Sequence, residues 1–268
     1  MRVDLSGAPQ TMLATLYAKA LDADFETPIL GDRYAKEIVE QIDYDWKKTT
    51  ITARRAPSVT TRSAHFDAWA GEFVAVHPSA VVLHLGCGLD SRFLRLQPGP
   101  GVDWYDVDYP GVIELREQLC PVRDHYHLVA ASVTDPAWLA AIPDERPVLM
   151  IGEGLTMYLT EQDGTALLRR VVEHFGSGEL QFDAFNRLGI KSQVLNTVVR
   201  RSGATLRWAI EGPDDIVATV PGVRLLACER WFESHTFAQL PRSSRLLGKV
   251  MALIPAVANM SQYHRYAF

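Results

Sequence analysis

The chain has 268 residues, of which 47% are hydrophobic and 22% are charged, proportions typical of a soluble globular protein. Its 32 acidic residues outnumber its 27 basic ones, and the formal net charge of -5 argues against a nucleic-acid partner. The N-terminus lacks a signal-peptide run, and no stretch is long and apolar enough to span a membrane. Three widely spaced cysteines favour a reducing compartment and neither a disulfide framework nor a metal site. We therefore expect a cytoplasmic protein without a membrane partner.

The first 76 residues predict a helical cap, because their apolar side chains have helical rather than alternating spacing. Three runs show it: Met12, Leu13, Leu16, Tyr17 and Ala20; then Tyr34, Ile38 and Ile42; then Phe66, Trp69 and Phe73. Pro28 and Gly31 separate the first two runs. Residues 43–57 are polar, basic and irregular, so we predict a mobile segment there.

Strands and helices then alternate along the chain, which predicts a doubly wound, mainly parallel sheet with helices on both faces. The predicted strands are residues 80–85, 102–108, 126–129, 147–151, 179–185, 223–227 and 262–268. The whole chain is predicted to be one domain, with residues 1–76 as its N-terminal cap. Residues 186–220 have helical spacing broken by glycines and are predicted to be a helical insertion near a substrate site.

The first strand ends in a Gly-x-Gly turn, formed by Gly86 and Gly88, and a helix-like segment follows. Glycine suits a turn with unusual backbone angles that a ligand approaches closely. About 20 residues later the second strand ends in Asp106 and Asp108, and an acid at that place suits the hydroxyls of a ribose. The pattern favours a turn that binds a nucleoside-type ligand over an ordinary tight turn between a strand and a helix. Ser91 stands where a dinucleotide fingerprint has its third glycine, which disfavours NAD.

Three further motifs accompany the glycine turn. They are Thr61-Arg62-Ser63-Ala64-His65-Phe66-Asp67, then Trp104 to Pro110, then Gly152-Glu153-Gly154-Leu155-Thr156-Met157-Tyr158-Leu159. Together they resemble the leucine carboxyl methyltransferase family of class I methyltransferases, and in particular its branch of polyketide carboxyl O-methyltransferases. The resemblance implies a Rossmann-like, seven-stranded fold and S-adenosyl-L-methionine (SAM) as cofactor, with S-adenosyl-L-homocysteine as product. It also implies that the last strand runs antiparallel beside the fifth.

The resemblance implies roles for single residues around the cofactor. Arg62 is similar to the arginine that binds the SAM carboxylate, a contact that suits the two parallel N–H donors of a guanidinium group. Gly86 and Gly88 would lie alongside the methionine part of SAM. Asp108 resembles the ribose-binding acid, and Glu153 resembles the acid that borders the cofactor after the fourth strand.

Other implied contacts involve the cap and the adenine side. Lys19 resembles an N-terminal basic residue that meets the cofactor. Ser132 and Val133 stand at the adenine side, where the family usually carries Asp followed by an apolar residue. Tyr17 and Tyr158 are the candidate substrate contacts. We expect the acceptor to enter between the N-terminal helices and the insertion after the fifth strand, because ligands of open α/β sheets lie beyond the carboxyl ends of the strands.

The chemistry implied is methyl transfer to an oxygen of a small-molecule metabolite. A carboxylate acceptor is already ionised at neutral pH and needs no general base, whereas a hydroxyl acceptor would need one, with a histidine or Glu153 as candidates. We predict no specific catalytic residue, and His65 and His84 are expected to be packing or hydrogen-bonded histidines. A non-catalytic SAM-fold binding protein and a nicotinamide-dependent oxidoreductase are the alternatives.

Overall fold

A seven-stranded sheet with the strand order β3-β2-β1-β4-β5-β7-β6 forms the centre of the protein. The computed structural model describes residues 9–121, 123–195, 199–200 and 203–268. The strands are β1 (Ala80–Leu85), β2 (Val102–Asp108), β3 (Tyr126–Ala130), β4 (Val148–Gly152), β5 (Gly178–Phe185), β6 (Arg224–Arg230) and β7 (Ser261–Ala267). Strands β1 to β5 pair in parallel, and β7 lies antiparallel between β5 and β6. The predicted sheet and the antiparallel last strand are confirmed.

The helices lie at both faces of the sheet and in the N-terminal cap. They are α1 (Pro9–Ala23), α2 (Arg33–Gln41), α3 (Pro57–Val76), α4 (Arg92–Leu96), α5 (Pro110–Leu119), α6 (Glu161–His174), α7 (Arg187–Lys191), α8 (Pro213–Thr219), α9 (Arg242–Met251) and α10 (Pro255–Ala258). Among the residues described, no helix combines the length and the apolar character that crossing a membrane requires.

The sheet is buried on both faces, which explains the continuous apolar runs of its central strands. In β1, Val81 and Leu83 belong to a core that includes Leu167 and Val171 of α6. Val82 of the same strand belongs to a second core on the opposite face, together with residues of α3. Every residue of β1 is buried.

The direction of chain progression reverses at β1, and this reversal determines where a ligand can bind. From β1 the chain moves outward through β2 to β3, then returns to β4 on the other side of β1 and continues to β5. Such a switch point leaves a crevice beyond the carboxyl ends of the strands. The Gly86–Gly88 turn follows β1 directly, and it therefore lies at this crevice.

The cap helices α1 and α2 pack on each other and on α5. Leu13, Leu16, Ile38 and Leu115 share one buried cluster, as the helical spacing of the cap predicts. Residues 43–57 contain a 3-10 turn at Trp46–Thr49. The following helix α3 begins at Pro57 and carries the predicted apolar run Phe66, Trp69 and Phe73.

The predicted insertion at residues 186–220 is only partly helical. Helix α7, a 3-10 turn at Ser192–Leu195 and α8 are present, but residues 204–211 have no regular structure. Arg207 N–H donates to Met157 O at 2.8 Å and Ile210 N–H donates to Phe185 O at 2.9 Å. Backbone hydrogen bonds to neighbouring segments of the same chain therefore hold this stretch in place of helical ones. Parts of the predicted insertion, residues 196–198 and 201–202, lie outside the described residues, as do residues 1–8 of the cap.

Candidate functional site

A cavity of about 930 Å³ lies at the carboxyl end of the sheet, in the size range of small-molecule sites. It opens between the cap helix α1, the ends of β1, β2 and β4, and the side chains of Val199, Ala204 and Leu206. Nine of the predicted site residues line it: Lys19, Arg62, Gly86, Gly88, Asp108, Ser132, Val133, Glu153 and Tyr158. Residues scattered over 140 positions of sequence are thus brought to one cavity.

The glycine turn forms the floor of this cavity in a conformation that favours glycine. Gly86 has a φ of 62° and Gly88 a φ of 53°, both in the left-handed region. A Cβ atom on Gly88 would lie 3.0 Å from Cγ of Met12 in α1. The turn therefore leaves a smooth backbone surface between β1 and the cap, where a ligand can approach closely.

Asp108 ends β2 and faces the same turn. Its Oδ2 accepts the Gly88 N–H at 2.8 Å and its Oδ1 accepts the Tyr109 N–H at 2.7 Å. Burial raises the pKa of the Asp108 carboxyl, and these two backbone N–H groups oppose that rise. Each carboxylate oxygen retains a lone pair, so the side chain could accept hydrogen bonds from two ribose hydroxyls.

Glu153 follows β4 and is saturated by cationic and hydroxyl partners. Its Oε1 accepts from Arg62 Nε at 3.0 Å and from Ser63 Oγ at 2.8 Å, while Oε2 accepts from Arg92. Burial alone would raise the pKa of this carboxyl, but the nearby cations, Lys19 foremost, hold the pKa well below its ordinary value. Glu153 is therefore a fixed anion at neutral pH.

Arg62 is fixed between two carboxylates at the cavity wall. Its Nε binds Glu153 and its Nη1 donates to Asp183 Oδ2 at 2.9 Å, while 19% of the side chain stays exposed. Asp183 is fully buried on β5 and also accepts the Gly154 N–H through Oδ1 at 2.5 Å. A guanidinium held in this way could present its remaining N–H groups to the carboxylate of an amino-acid ligand.

Lys19 is bound to an acid that the sequence analysis does not name. Its Nζ lies 2.9 Å from Oδ2 of Asp90, at the start of the α4 region. Arg95 binds the other oxygen of Asp90 at 2.7 Å, and Arg92 lies 3.4 Å from Oδ2. Burial would raise the pKa of Asp90, but these cations hold it well below its ordinary value. A carboxylate two and five residues before arginines, directly after the glycine turn, is the signal that could have predicted this network.

His84 lines the cavity, and both of its ring nitrogens are occupied. Its Nδ1 is 2.9 Å from Asp106 Oδ1, and its Nε2 is 3.1 Å from Arg92 Nη1. Because the guanidinium can only donate, Nε2 accepts and Nδ1–H donates to the carboxylate. Asp106 itself is buried and accepts from Trp104 Nε1 at 2.9 Å and Tyr126 Oη at 2.5 Å, so it serves this network beneath the site.

The two predicted tyrosines take different places. Tyr158 lines the cavity in a 3-10 turn after β4, and burial raises the pKa of its hydroxyl. Tyr17 does not belong to the lining of the cavity; its ring stacks on Trp46 at 5.2 Å and braces the cap. At the mouth, Ile51 and the exposed Arg55 line the cavity, so the end of the basic segment 43–57 reaches it.

The adenine-side residues differ in exposure. Ser132 Oγ lies 2.8 Å from Thr134 Oγ1 in an exposed turn after β3. Val133 is buried with 6% exposure and contributes both to the main core and to the cavity wall. This wall offers a hydroxyl and an apolar surface to a flat ring.

Comparison with known proteins agrees with this geometry. A family model described as leucine carboxyl methyltransferase matches residues 10–172, more than half of the chain. The chain belongs to the leucine carboxyl methyltransferase family. It is 42% identical over 99% of its length to the tetracenomycin polyketide synthesis O-methyltransferase TcmP of Streptomyces glaucescens, covering 98% of that protein. It is 36% identical to the S-adenosyl-L-methionine-dependent methyltransferase dpfgK of Gibberella zeae, covering 92% of this chain and 89% of that one.

Solved structures share the fold at low identity. A DUF574 family protein from Streptomyces avermitilis superposes with a TM-score of 0.56 at 16% identity, covering 94% of this chain and 96% of that one. The plantazolicin methyltransferase BamL does so with a TM-score of 0.52 at 10% identity and 97% coverage of both chains. The chain is thus a SAM-dependent methyltransferase of the class I fold, and the oxidoreductase and non-catalytic alternatives are set aside.

Proposed function

We propose that the protein methylates a carboxyl oxygen of a small, largely apolar, acidic metabolite, similar to a polyketide. The observation that carries this proposal is the state of the potential bases at the cavity. Among the described lining residues, the imidazole of His84 and the carboxylates of Asp90, Asp108 and Glu153 are all occupied by hydrogen bonds or ion pairs. An acceptor that is already ionised fits such a site, because it needs no proton removed.

The cavity residues fit SAM, which supplies a methyl group on a cationic sulfur when it is bound. The turn at Gly86 and Gly88 offers close backbone approach, and a side chain on either glycine would reach Leu155 or Met12 within 3.1 Å. Asp108 would hold the ribose, and Arg62 would hold the amino-acid carboxylate. Ser132 and Val133 would face the adenine. Lys19 would contribute to cofactor binding indirectly, because its ion pair holds Asp90 in place next to the glycine turn.

Glu153 and His84 are poor general bases in this arrangement. The cations around Glu153 stabilise its ionised form so strongly that its proton affinity is low. His84 would have to break its contact with Arg92 before Nε2 could accept a proton. Catalysis by this site therefore consists mainly of aligning the acceptor oxygen with the methyl group and excluding water.

The acceptor side favours an apolar acid. Met157, Leu159, Phe185 and Leu206 line it, so a flat hydrocarbon skeleton would find apolar contacts. The exposed Arg55 at the mouth would attract a negatively charged acceptor. Tyr158 would contact the acceptor, while Tyr17 would act only by supporting the cap. The name of TcmP, a polyketide synthesis O-methyltransferase, agrees with such an acceptor class.

The experiment uses an aromatic acid that carries both a carboxyl and a phenol group, such as a hydroxynaphthoic acid, with SAM labelled at the methyl group. We expect a labelled product that mild alkali hydrolyses, releasing labelled methanol, because esters are cleaved and aryl ethers are not. As a control, the methyl ester of the same acid, with its phenol free, should not be turned over. A label that resists alkali, or turnover of that ester, would contradict carboxyl methylation.

A further inference from the structure

A second group of potential ligands lies outside the cavity, at the contact of α3 with β6. His65 belongs to α3, one turn after Arg62, and its side chain is fully buried. Its ring is surrounded by Trp69, Tyr263 and His235, with centroid distances of 4.2, 4.5 and 5.1 Å. Neither ring nitrogen has a hydrogen-bond partner. The expected packing role of His65 thus leaves both polar atoms unexplained.

Such unpaired nitrogens are unusual in a protein interior. A buried polar group without a hydrogen bond costs about 1–3 kcal/mol, and native structures contain few of them. Burial, together with His235 and Arg265, lowers the pKa of His65 to about 3, so the imidazole is neutral at physiological pH. A neutral imidazole nitrogen with a free lone pair is the form that binds a metal ion.

Two further ligand types face the same point from different elements. Glu229 lies on β6, and its Oε2 is 4.0 Å from Nδ1 of His65. His235 follows the 3-10 turn at Trp231–Glu233 and is exposed. One donor atom from each of the three residues lies within 4.8 Å of the other two. Positions 65, 229 and 235 are too far apart in sequence for any ligand-spacing motif to show this group.

We propose that His65, Glu229 and His235 form a binding site for one divalent transition-metal ion, with Zn²⁺ as the best match. Two imidazoles and one carboxylate are a ligand set that zinc uses, with a water molecule at the fourth position. Metal–ligand bonds of about 2.0–2.2 Å place tetrahedral donors about 3.4 Å apart. The donors lie up to 4.8 Å apart and must therefore close by up to about 1.4 Å. His235 can supply the movement because it is exposed.

The charges around the group favour a cation. Burial raises the pKa of the Glu229 carboxyl; His235 opposes this rise, and the nearby acids Glu72 and Glu233 add to it. Arg265 is the nearby cation, but it is paired with Glu72 at 2.6 Å and Glu179 at 2.8 Å. A metal ion would relieve the repulsion among the acids and accept the lone pair of one His65 ring nitrogen.

The metal site would connect α3 to strand β6 and to the segment that follows it. Trp231 Nε1 already donates to Thr61 Oγ1 at 3.1 Å across the same contact. A metal held by His65 and His235 would strengthen this junction, and α3 carries Arg62 into the cavity one turn away. The ion would therefore stabilise the fold by mass action, without taking part in methyl transfer.

The test uses the full-length protein, freed of metal by a chelator and desalted, then titrated with Zn²⁺ and with Co²⁺. We expect one ion per chain by elemental analysis after gel filtration, a higher melting temperature, and the visible absorption of tetrahedral Co²⁺. His235→Asn and Glu229→Gln change accessible side chains and should fold, yet they should lose at least about tenfold in affinity, since each removes one of three ligands. His127→Asn is the matched control, because His127 is an exposed histidine beside Asp103 and lies elsewhere.

The outcomes separate the proposal from adventitious binding. Stoichiometric binding that His235→Asn abolishes and His127→Asn retains supports the site. Wild-type protein that holds no metal after gel filtration would overturn it. Equal affinity of the wild type and His235→Asn would also overturn it, since the ion would then occupy other surface histidines.

Discussion

Replacing Glu153 with Gln tests the ion network that holds the cavity wall. The substitution keeps the size of the side chain and removes its charge. Arg92 is fully buried and would keep Asp67 at 2.7 Å and Asp90 at 3.4 Å. Arg62 would keep Asp183 at 2.9 Å. Both arginines thus lose one of their anionic partners but neither loses all.

The expected loss of stability follows from these remaining contacts. Removing one partner of a buried ion pair costs about 3–5 kcal/mol when the other charge is left alone. Since each arginine keeps a carboxylate and the Gln oxygen can still accept one hydrogen bond, we expect a loss of about 2–3 kcal/mol at pH 7. Glu233→Gln is the matched control, because its pair with Arg230 is exposed; it should change stability by less than about 1 kcal/mol.

The pH dependence has a definite sign. The folded-state pKa of Glu153 is depressed, so its contribution to stability is complete above the unfolded-state value of 4.5 and is lost as the pH falls through the folded-state pKa. At pH 4, half a unit below that ordinary value, the difference between wild type and Glu153→Gln should shrink by about 1 kcal/mol.

Urea unfolding at pH 7 and pH 4 measures both quantities, and calorimetry with SAM follows the effect on the site. Glu153→Gln should also weaken SAM binding, because Arg62 loses one of its two anchors. A variant as stable as wild type at pH 7 would refute the reasoning, as would a difference that grows at pH 4.

Two other predictions concern the acceptor and the sheet. Arg55→Gln should raise KM for an acidic acceptor about fivefold, the equivalent of about 1 kcal/mol, and leave SAM affinity unchanged. Arg54 lies outside the cavity lining, so Arg54→Gln should change neither quantity. Equal effects of the two substitutions on KM would contradict a role of Arg55 at the mouth. Removing residues 262–268 takes two buried tyrosines, worth about 3 kcal/mol each, and the neighbour of β6, so the melting temperature should fall by at least about 12 °C; an unchanged value would contradict the pairing.

The elements that sequence reasoning predicted well are those whose signal is local. In the run from Ala80 to Gly88, a fully buried strand is followed directly by glycines that adopt positive φ. The sequence signals for both features stand in adjacent residues. The start of α6 also has a local cause, because the Thr160 side chain accepts the Asp163 N–H as the helix cap. Local chemistry of this kind needs no knowledge of the rest of the chain.

The features that sequence reasoning did not predict depend on distant partners. Asp183 meets Arg62 across 121 positions, and nothing beside it in the sequence marks it as a member of the site. Residues 204–211 satisfy helical spacing, yet backbone hydrogen bonds to Met157 and Phe185 hold part of them in an irregular path. Helices α9 and α10 lie between the sixth and seventh predicted strands, where the sequence analysis predicts no element, and α9 exposes apolar side chains, including Leu246.

We propose above all that SAM binds on the glycine turn between β1 and α1. Calorimetric titration of SAM into wild type, Gly88→Ala and Gly222→Ala tests it directly. Both variants place Ala at a positive φ, 53° and 87°, and share that backbone strain. Only at Gly88 does the new Cβ meet Met12 at 3.0 Å and disturb the N–H bond to Asp108.

We expect wild type and Gly222→Ala to bind one SAM per chain with similar affinity. Gly88→Ala should bind at least about 30-fold more weakly, the equivalent of about 2 kcal/mol. Equal affinity of Gly88→Ala and Gly222→Ala would show that the cofactor does not lie on this turn.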